Sequence, residues 1–254
     1  MQPPIRVHGS TNQLLAALQP EQRMLLEADL EWVALARDTM LYEPGCKLHH
    51  VYFPASAIVS LVSSMEDGTT TEVAVVGNEG IVGVCAFMGG SPALSGAVVQ
   101  QAGYGWRMKA SAIVHHTQRS VNVLRILLGY TQLLFTHLVQ TSACNQHHAL
   151  EQQMCRWLLL HLDRQTGDEL DVTQQRIAGM LGVRREGVTG IALKLKKDGL
   201  IQYHRGRIAI TDRKGLEARS CECYFVISRL AENTLRGSDP VAYPSMPRQR
   251  QASR

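Results

Sequence analysis

Residues 173–197 read TQQRIAGMLGVRREGVTGIALKLKK, two short amphipathic segments divided at Gly182. In the first, Ile177, Ala178 and Leu181 recur at the spacing of one buried helix face, and Thr173 stands ahead of them as an N-cap. In the second, Val188, Ile191, Ala192 and Leu195 share a face, which leaves Arg184, Arg185, Glu186, Thr189, Lys194 and Lys197 elsewhere or at the leading end. A helix of this length fits the major groove of DNA, where Arg bonds guanine through two atoms and Glu accepts from the cytosine amino group. A pair of helices with a glycine turn also serves as plain core packing, so the flanking sequence has to decide.

After Asp198-Gly199, the runs Leu200–Tyr203 and Ile208–Ile210 flank His204-Arg205-Gly206-Arg207, the pattern of a β-hairpin with a basic tip. Helix, turn, helix and hairpin in this order make a winged helix-turn-helix. Between Asp171 and Gly215 stand ten Lys or Arg against four acids, a local charge of +6 in a chain whose net charge is +4. The positive field is therefore concentrated where a polyanion would dock.

This segment resembles the DNA-binding end of the Crp/Fnr family of bacterial transcription regulators, and the resemblance runs over about residues 14 to 230. It is carried also by Val51-Tyr52-Phe53-Pro54, by Gly77-Asn78-Glu79-Gly80 with Val82-Gly83-Val84, and by Cys221-Glu222-Cys223-Tyr224, in that order along the chain. The family implies an α+β architecture: a cyclic-nucleotide-binding-like double-stranded β-helix over 11–117, a dimerisation helix over 118–148 and a winged helix-turn-helix over 149–235. Residues 236–254, rich in Pro, Ser, Arg and Gln, read as a disordered tail.

The residues themselves support that division. Leu14, Leu15, Leu18, Leu25, Leu26 and Leu30 surround Gln19-Pro20 and suggest two short helices split by the proline. From about Trp32 to Lys109, short runs such as Ile58–Val62 and Glu72–Val76 alternate with turn signals at Pro44-Gly45, Asp67-Gly68 and Gly89-Gly90, the mark of an antiparallel sandwich or barrel. From Gln118 onward Leu124, Leu127, Thr131, Leu134, Leu138, Thr141, Asn145 and His148 recur at steps of three and four, a coiled-coil seam. Leu128, Phe135, Val139 and Ser142 form a neighbouring stripe that could lie on the barrel. A parallel homodimer follows, unless the helix is packed on both sides within one chain. A hinge is expected near His148–Glu151, and Asp212 can cap a last helix running to Leu230.

By resemblance, Arg185 and Glu186 match the family's base-reading pair. Arg184 stands at the helix start in place of a usual Ser, and Thr189 follows on the same helix; Gly190 occupies the place of a second reading Arg in some members. Thr173, Gln174, Gln175, Lys194, Arg205 and Arg207 are the expected phosphate contacts, which position the protein without reading sequence. In members that bind cAMP, a Gly-Glu pair holds the ribose and an Arg with Ser or Thr holds the phosphate. Here Gly83-Val84 replaces the first, and the stretch around Ser91 and Ser95 has no Arg or Lys, so the anion would lose its charge-assisted partner. Thr141-Ser142 match the pair that contacts adenine in those members. A pocket on Gly83, Val84, Ser91, Ser95, Thr141 and Ser142 is therefore not expected to bind cAMP in the usual way. A cyclic dinucleotide, a redox signal or no effector at all remain open.

Six cysteines, at 46, 85, 144, 155, 221 and 223, include no CxxC. Cys221 and Cys223 alone do not complete a zinc site, and the cysteine cluster of the family's oxygen sensors has no counterpart near the N-terminus. The His-His pairs at 49–50, 115–116 and 147–148 are read as surface or interface residues. No cofactor and no metal are expected. No spaced Ser-His-Asp set, HExxH or phosphate-binding glycine loop points to an enzyme. Neither a secretory signal nor an apolar run of membrane-spanning length is evident, so the expectation is a cytoplasmic protein whose partners are double-stranded DNA, a second copy of itself, RNA polymerase and an unidentified effector. A ligand-binding protein without DNA is the competing class.

Overall fold

The computed structural model describes residues 12–165, 167–204 and 206–236. The expected tail from 237 onward and Arg205 lie outside them.

The chain opens with two short helices, α1 (Gln13–Ala16) and α2 (Pro20–Glu27), with Pro20 at the first turn of the second, where a missing N–H costs nothing. Seven strands follow: β1 (Glu31–Leu35), β2 (Met40–Tyr42), β3 (His50–Pro54), β4 (Ile58–Ser64), β5 (Thr70–Val76), β6 (Gly96–Gln101) and β7 (Gly103–Lys109). They form two antiparallel sheets, ordered β1-β7-β3 and β2-β6-β4-β5. Their inward residues, among them Phe53, Val59, Leu61, Val76, Ala97, Val99, Trp106 and Met108, fill a single apolar core.

Three helices come next: α3 (Ala110–Arg119), α4 (Val121–His147) and α5 (Leu150–Leu162). The long helix thus begins at Val121 and not near Gln118, because Ser120 is extended and its hydroxyl caps the new helix by accepting from Val123 N. The second half contains β8 (Glu169–Asp171), α6 (Gln174–Leu181), α7 (Arg185–Lys197), β9 (Ile201–His204), β10 (Arg207–Ile210), α8 (Arg213–Arg219) and α9 (Glu222–Arg236). Its sheet is ordered β8-β10-β9, and the β9–β10 hairpin is the wing. Asp212 caps α8 by accepting from Gly215 N, but Ser220 is extended and the last helical stretch is divided in two there.

Two phrases carried by the resemblance, far apart in sequence, meet in space. Tyr52 bridges to Val82, and the Asn12 amide donates to both Pro54 O and Gly80 O, at 2.9 Å each. A Cβ on Gly80 would sit 2.2 Å from the Tyr130 ring, so only glycine lets the turn lie against α4. Glu79, beside it, accepts from Arg164 Nε at 2.8 Å just past the end of α5, with both side chains buried.

The second core is not confined to the C-terminal half. Ile58 and Val75, on the outer face of β4 and β5, pack into the cluster formed by Met154, Leu158, Ile177, Val188, Leu195 and Ile208. Further contacts cross the junction: Arg37 pairs with Asp171 at 2.6 Å, and Arg176 reaches Asp38 at 2.5 Å and Gln100 at 2.8 Å.

Along α4 the two stripes take roles other than those expected. Leu127 and Leu134 are buried in the chain's own core, and Thr141 is buried against Arg156. Leu128, Phe135, Val139 and Ser142 face outward, with Phe135 66% exposed against 7% for Leu134. Leu124, Thr131 and Leu138 are half-buried at the edge and Asn145 is exposed, so the open seam is Val121, Leu124, Leu128, Thr131, Phe135, Leu138, Ser142 and Asn145. Its steps are again three and four. Both stripes satisfy the heptad spacing, and periodicity alone does not say which one the barrel takes.

Candidate nucleic-acid interface

Helix α6 begins where the Thr173 hydroxyl accepts from Arg176 N at 3.2 Å, and it ends at Gly182, whose φ of +66° lets the chain turn while Val183 N returns to Ala178 O. This turn sets α7 on its neighbour through Val188, Ala192 and Leu195, all buried; Ile191, expected among them, is half-buried. Gln174 joins the two helices by accepting from Thr189 Oγ1 at 2.8 Å. Thr189, expected at the bases, is therefore already engaged in positioning, with its hydroxyl lone pairs left as acceptors.

At the leading end of α7, Arg184, Arg185 and Glu186 are exposed, and among the described residues their side chains have no hydrogen bond or ion pair. The wing lies beside the start of α6. Arg207 pairs across the sheet with Asp171, and a Cβ added to Gly206 would stand 3.5 Å from the Thr173 methyl, so exposed Thr173 and Arg207 share one border, with exposed Gln175 two residues on. Lys194 does not join them. Its ammonium is 2.6 Å from Glu151 at the start of α5, and the same carboxylate accepts from Arg219; Lys194 first, and Arg219 after it, hold Glu151 below the usual carboxylate range. Lys194 thus ties α7 to α5 in the DNA-free chain, through a partner that a count of charges does not name.

Residues 152–219 match the model of the Crp-like helix-turn-helix domain, and residues 32–119 match that of the cyclic nucleotide-binding domain. The chain belongs to the Crp/Fnr family. This Crp/Fnr regulator has the fold of FixK2 from Bradyrhizobium japonicum, with a TM-score of 0.64 at 17% identity over 76% of this chain and 98% of that one. A Crp/Fnr transcriptional regulator from Eubacterium rectale gives 0.63 at 18% identity over 81% and 96%. The c-di-GMP-responsive regulator CLP from Xanthomonas campestris gives 0.61 at 15% identity over 76% and 100%. Comparison with curated proteins gave no match. Among the described residues no helix is long and apolar enough to cross a membrane.

In this regulator the six residues expected to line an effector pocket stand in differing surroundings. Gly83 is left-handed at φ +101°, where an added Cβ would meet Val51 at 3.3 Å, Val84 starts a short 3-10 turn, Ser91 is exposed and Ser95 half-buried. Ser142 lies on the open face of α4, whereas Thr141 accepts from Arg156 Nη1 at 3.1 Å. Thr141 instead borders a cavity of about 10 Å³ on the outer side of β5, lined also by Glu72, His137, Arg156, Trp157 and His161. That volume holds one water at most.

The lining of this cavity is polar and buried. Glu72 accepts from Ser60 Oγ and lies 3.5 Å from His161 Nε2, while His161 Nδ1 is 2.9 Å from Trp157 O and its ring stacks on the indole. Burial, with Arg164 and Arg156 nearby, holds His137 well below the ordinary histidine range. None of these groups was legible as a site, because β5, α4 and α5 supply them from distant parts of the chain.

Proposed function

We propose that this chain is a homodimeric, sequence-specific DNA regulator that reads a palindromic site with Arg185 and Glu186 and is not controlled by cAMP through the family's usual phosphate contacts. The observation that carries this reading is the solvent-exposed, unpartnered Arg184-Arg185-Glu186 group at the start of a helix otherwise fixed by its own core. Arg185 would bond a guanine and Glu186 a cytosine amino group, with Thr173, Gln175 and Arg207 on the flanking phosphates. Arg184, next to them, is available to a base or a phosphate.

The second copy would cover the open seam of α4. Eight positions at coiled-coil spacing, with Phe135 and Val121 largely exposed, suit a parallel copy of the same helix. Two reading helices then meet half-sites one helical turn apart, about 34 Å. A cytoplasmic location accords with such a role.

Selection of DNA from a random pool by the full chain tests the proposal. Enrichment of an inverted repeat is expected, and a pool that stays random would sink the reading. Calorimetry with cAMP is expected to give no saturable heat.

A further inference from the structure

Four side chains from distant parts of the sequence converge where α4 ends and α9 begins. The ligand-type atoms of Cys144, His148, Cys221 and Cys223 all lie within 4.8 Å of one another. The three thiols are buried, and the His148 side chain is only 16% exposed. We infer that these residues form a mononuclear Cys3His site for a thiophilic divalent metal ion of the zinc type, one that ties the long helix to the DNA-binding half.

The geometry fits one ion. Sulfurs about 2.3 Å from a tetrahedral zinc are about 3.8 Å apart, and a sulfur and an imidazole nitrogen about 3.6 Å apart. Cys144 Sγ and Cys221 Sγ are separated by 3.5 Å, and Cys223 Sγ and His148 Nδ1 by 3.6 Å. Such a set is too tight to surround a core of bridging sulfides, which argues against an iron–sulfur cluster. A disulfide between Cys144 and Cys221 would leave Cys223 and His148 without a role, whereas a tetrahedral ion uses all four donors.

The surroundings of the ligands point the same way. The second ring nitrogen of His148 lies 3.2 Å from the Glu222 carboxylate, so Nε2–H can donate a hydrogen bond to Glu222, which fixes the tautomer that leaves Nδ1 bare toward the thiols, the carboxylate–histidine pairing common at zinc sites. Gln153, on α5, donates to His148 O at 2.8 Å and to Cys144 O at 3.4 Å, fixing the backbone that carries two ligands. Binding would convert three thiols to thiolates and release three protons, giving a centre of net charge −1 with the neutral imidazole, so uptake should weaken on acidification. The ion would span the α4–α5 junction, where a hinge is expected, and close it on the α9 side.

Metal analysis of the reduced full chain, purified without chelator, should find about one zinc per protomer. Cobalt in its place should give the intense bands of a tetrahedral thiolate complex. Cys223→Ser and His148→Ala should abolish uptake, Cys46→Ser should not, and Glu222→Gln should weaken zinc affinity by about 10- to 100-fold with the circular dichroism unchanged. A reduced chain that takes up neither ion, or a Cys223→Ser variant that binds as well as the parent, overturns the site. If Cys223→Ser does not fold, the cobalt spectrum of the parent chain decides: bands without thiolate character overturn the assignment.

Discussion

At the start of α7, Arg184, Arg185 and Glu186 stand in solvent with nothing in the described chain to bond. At the junction between the halves, and between α5 and α7, the opposite holds: Arg164 is engaged by Glu79, Arg176 by Asp38 and Gln100, Arg37 by Asp171 and Lys194 by Glu151. Both regions are rich in charge, but only one has charge to offer a polyanion. The difference teaches that a basic count locates a nucleic-acid face only after the internal ion pairs have been removed from it.

The sharpest way to break that contrast is on α4, where a committed and an open apolar stripe run side by side. Phe135→Glu should turn a dimer into a monomer in analytical ultracentrifugation, while Leu134→Ala should lower stability by about 2 to 5 kcal/mol and leave the dimer assembled. A Phe135→Glu dimer would remove the open seam as the interface. Next in size is the buried pair: Arg164→Met leaves Glu79 without its cation and should cost about 3 to 5 kcal/mol in chemical denaturation.

Arg185→Ala should do the reverse of Arg164→Met, with stability within about 0.5 kcal/mol of the parent and a loss of about 1 to 3 kcal/mol on the selected DNA but not on random DNA. On the same titrations Arg207→Ala should reduce the salt slope by about one, whereas Lys194→Ala should leave it unchanged. A flattened slope for Lys194→Ala would return that residue to the phosphate face.

The smallest effect concerns His137. Its folded pKa lies well below 6.5, so below that value the unfolded chain takes up a proton that the folded one refuses. Stability should therefore fall on acidification, by up to about 1.4 kcal/mol per pH unit. Denaturation midpoints at about pH 7.5 and about pH 5.5 should show this slope, and His137→Leu should flatten it.

Much of the DNA-binding half was legible because its signals are local: a cap at Thr173, a left-handed glycine at 182, one buried face per helix and a hairpin with alternating Ile. The strands and their turns were legible for the same reason. The seam of α4 was readable as a heptad but not as an assignment, since two stripes satisfied the spacing and only the folded barrel chooses between them. The partners of Lys194 and Thr189, Glu151 and Gln174, were not legible because they lie on other helices. The Cys144–His148 pair, one helical turn apart, and the Cys-x-Cys at 221–223 each carried half of a signal, and neither half is diagnostic without the packing of α4 on α9.

Ile58 and Val75 give the sensor half a stake in the core of the other half. Swinging the reading head away would wet both side chains, at a cost of about 3 to 6 kcal/mol. A conformer released in that way needs some other greasy surface to shelter them, and without one the two halves should melt in a single calorimetric transition.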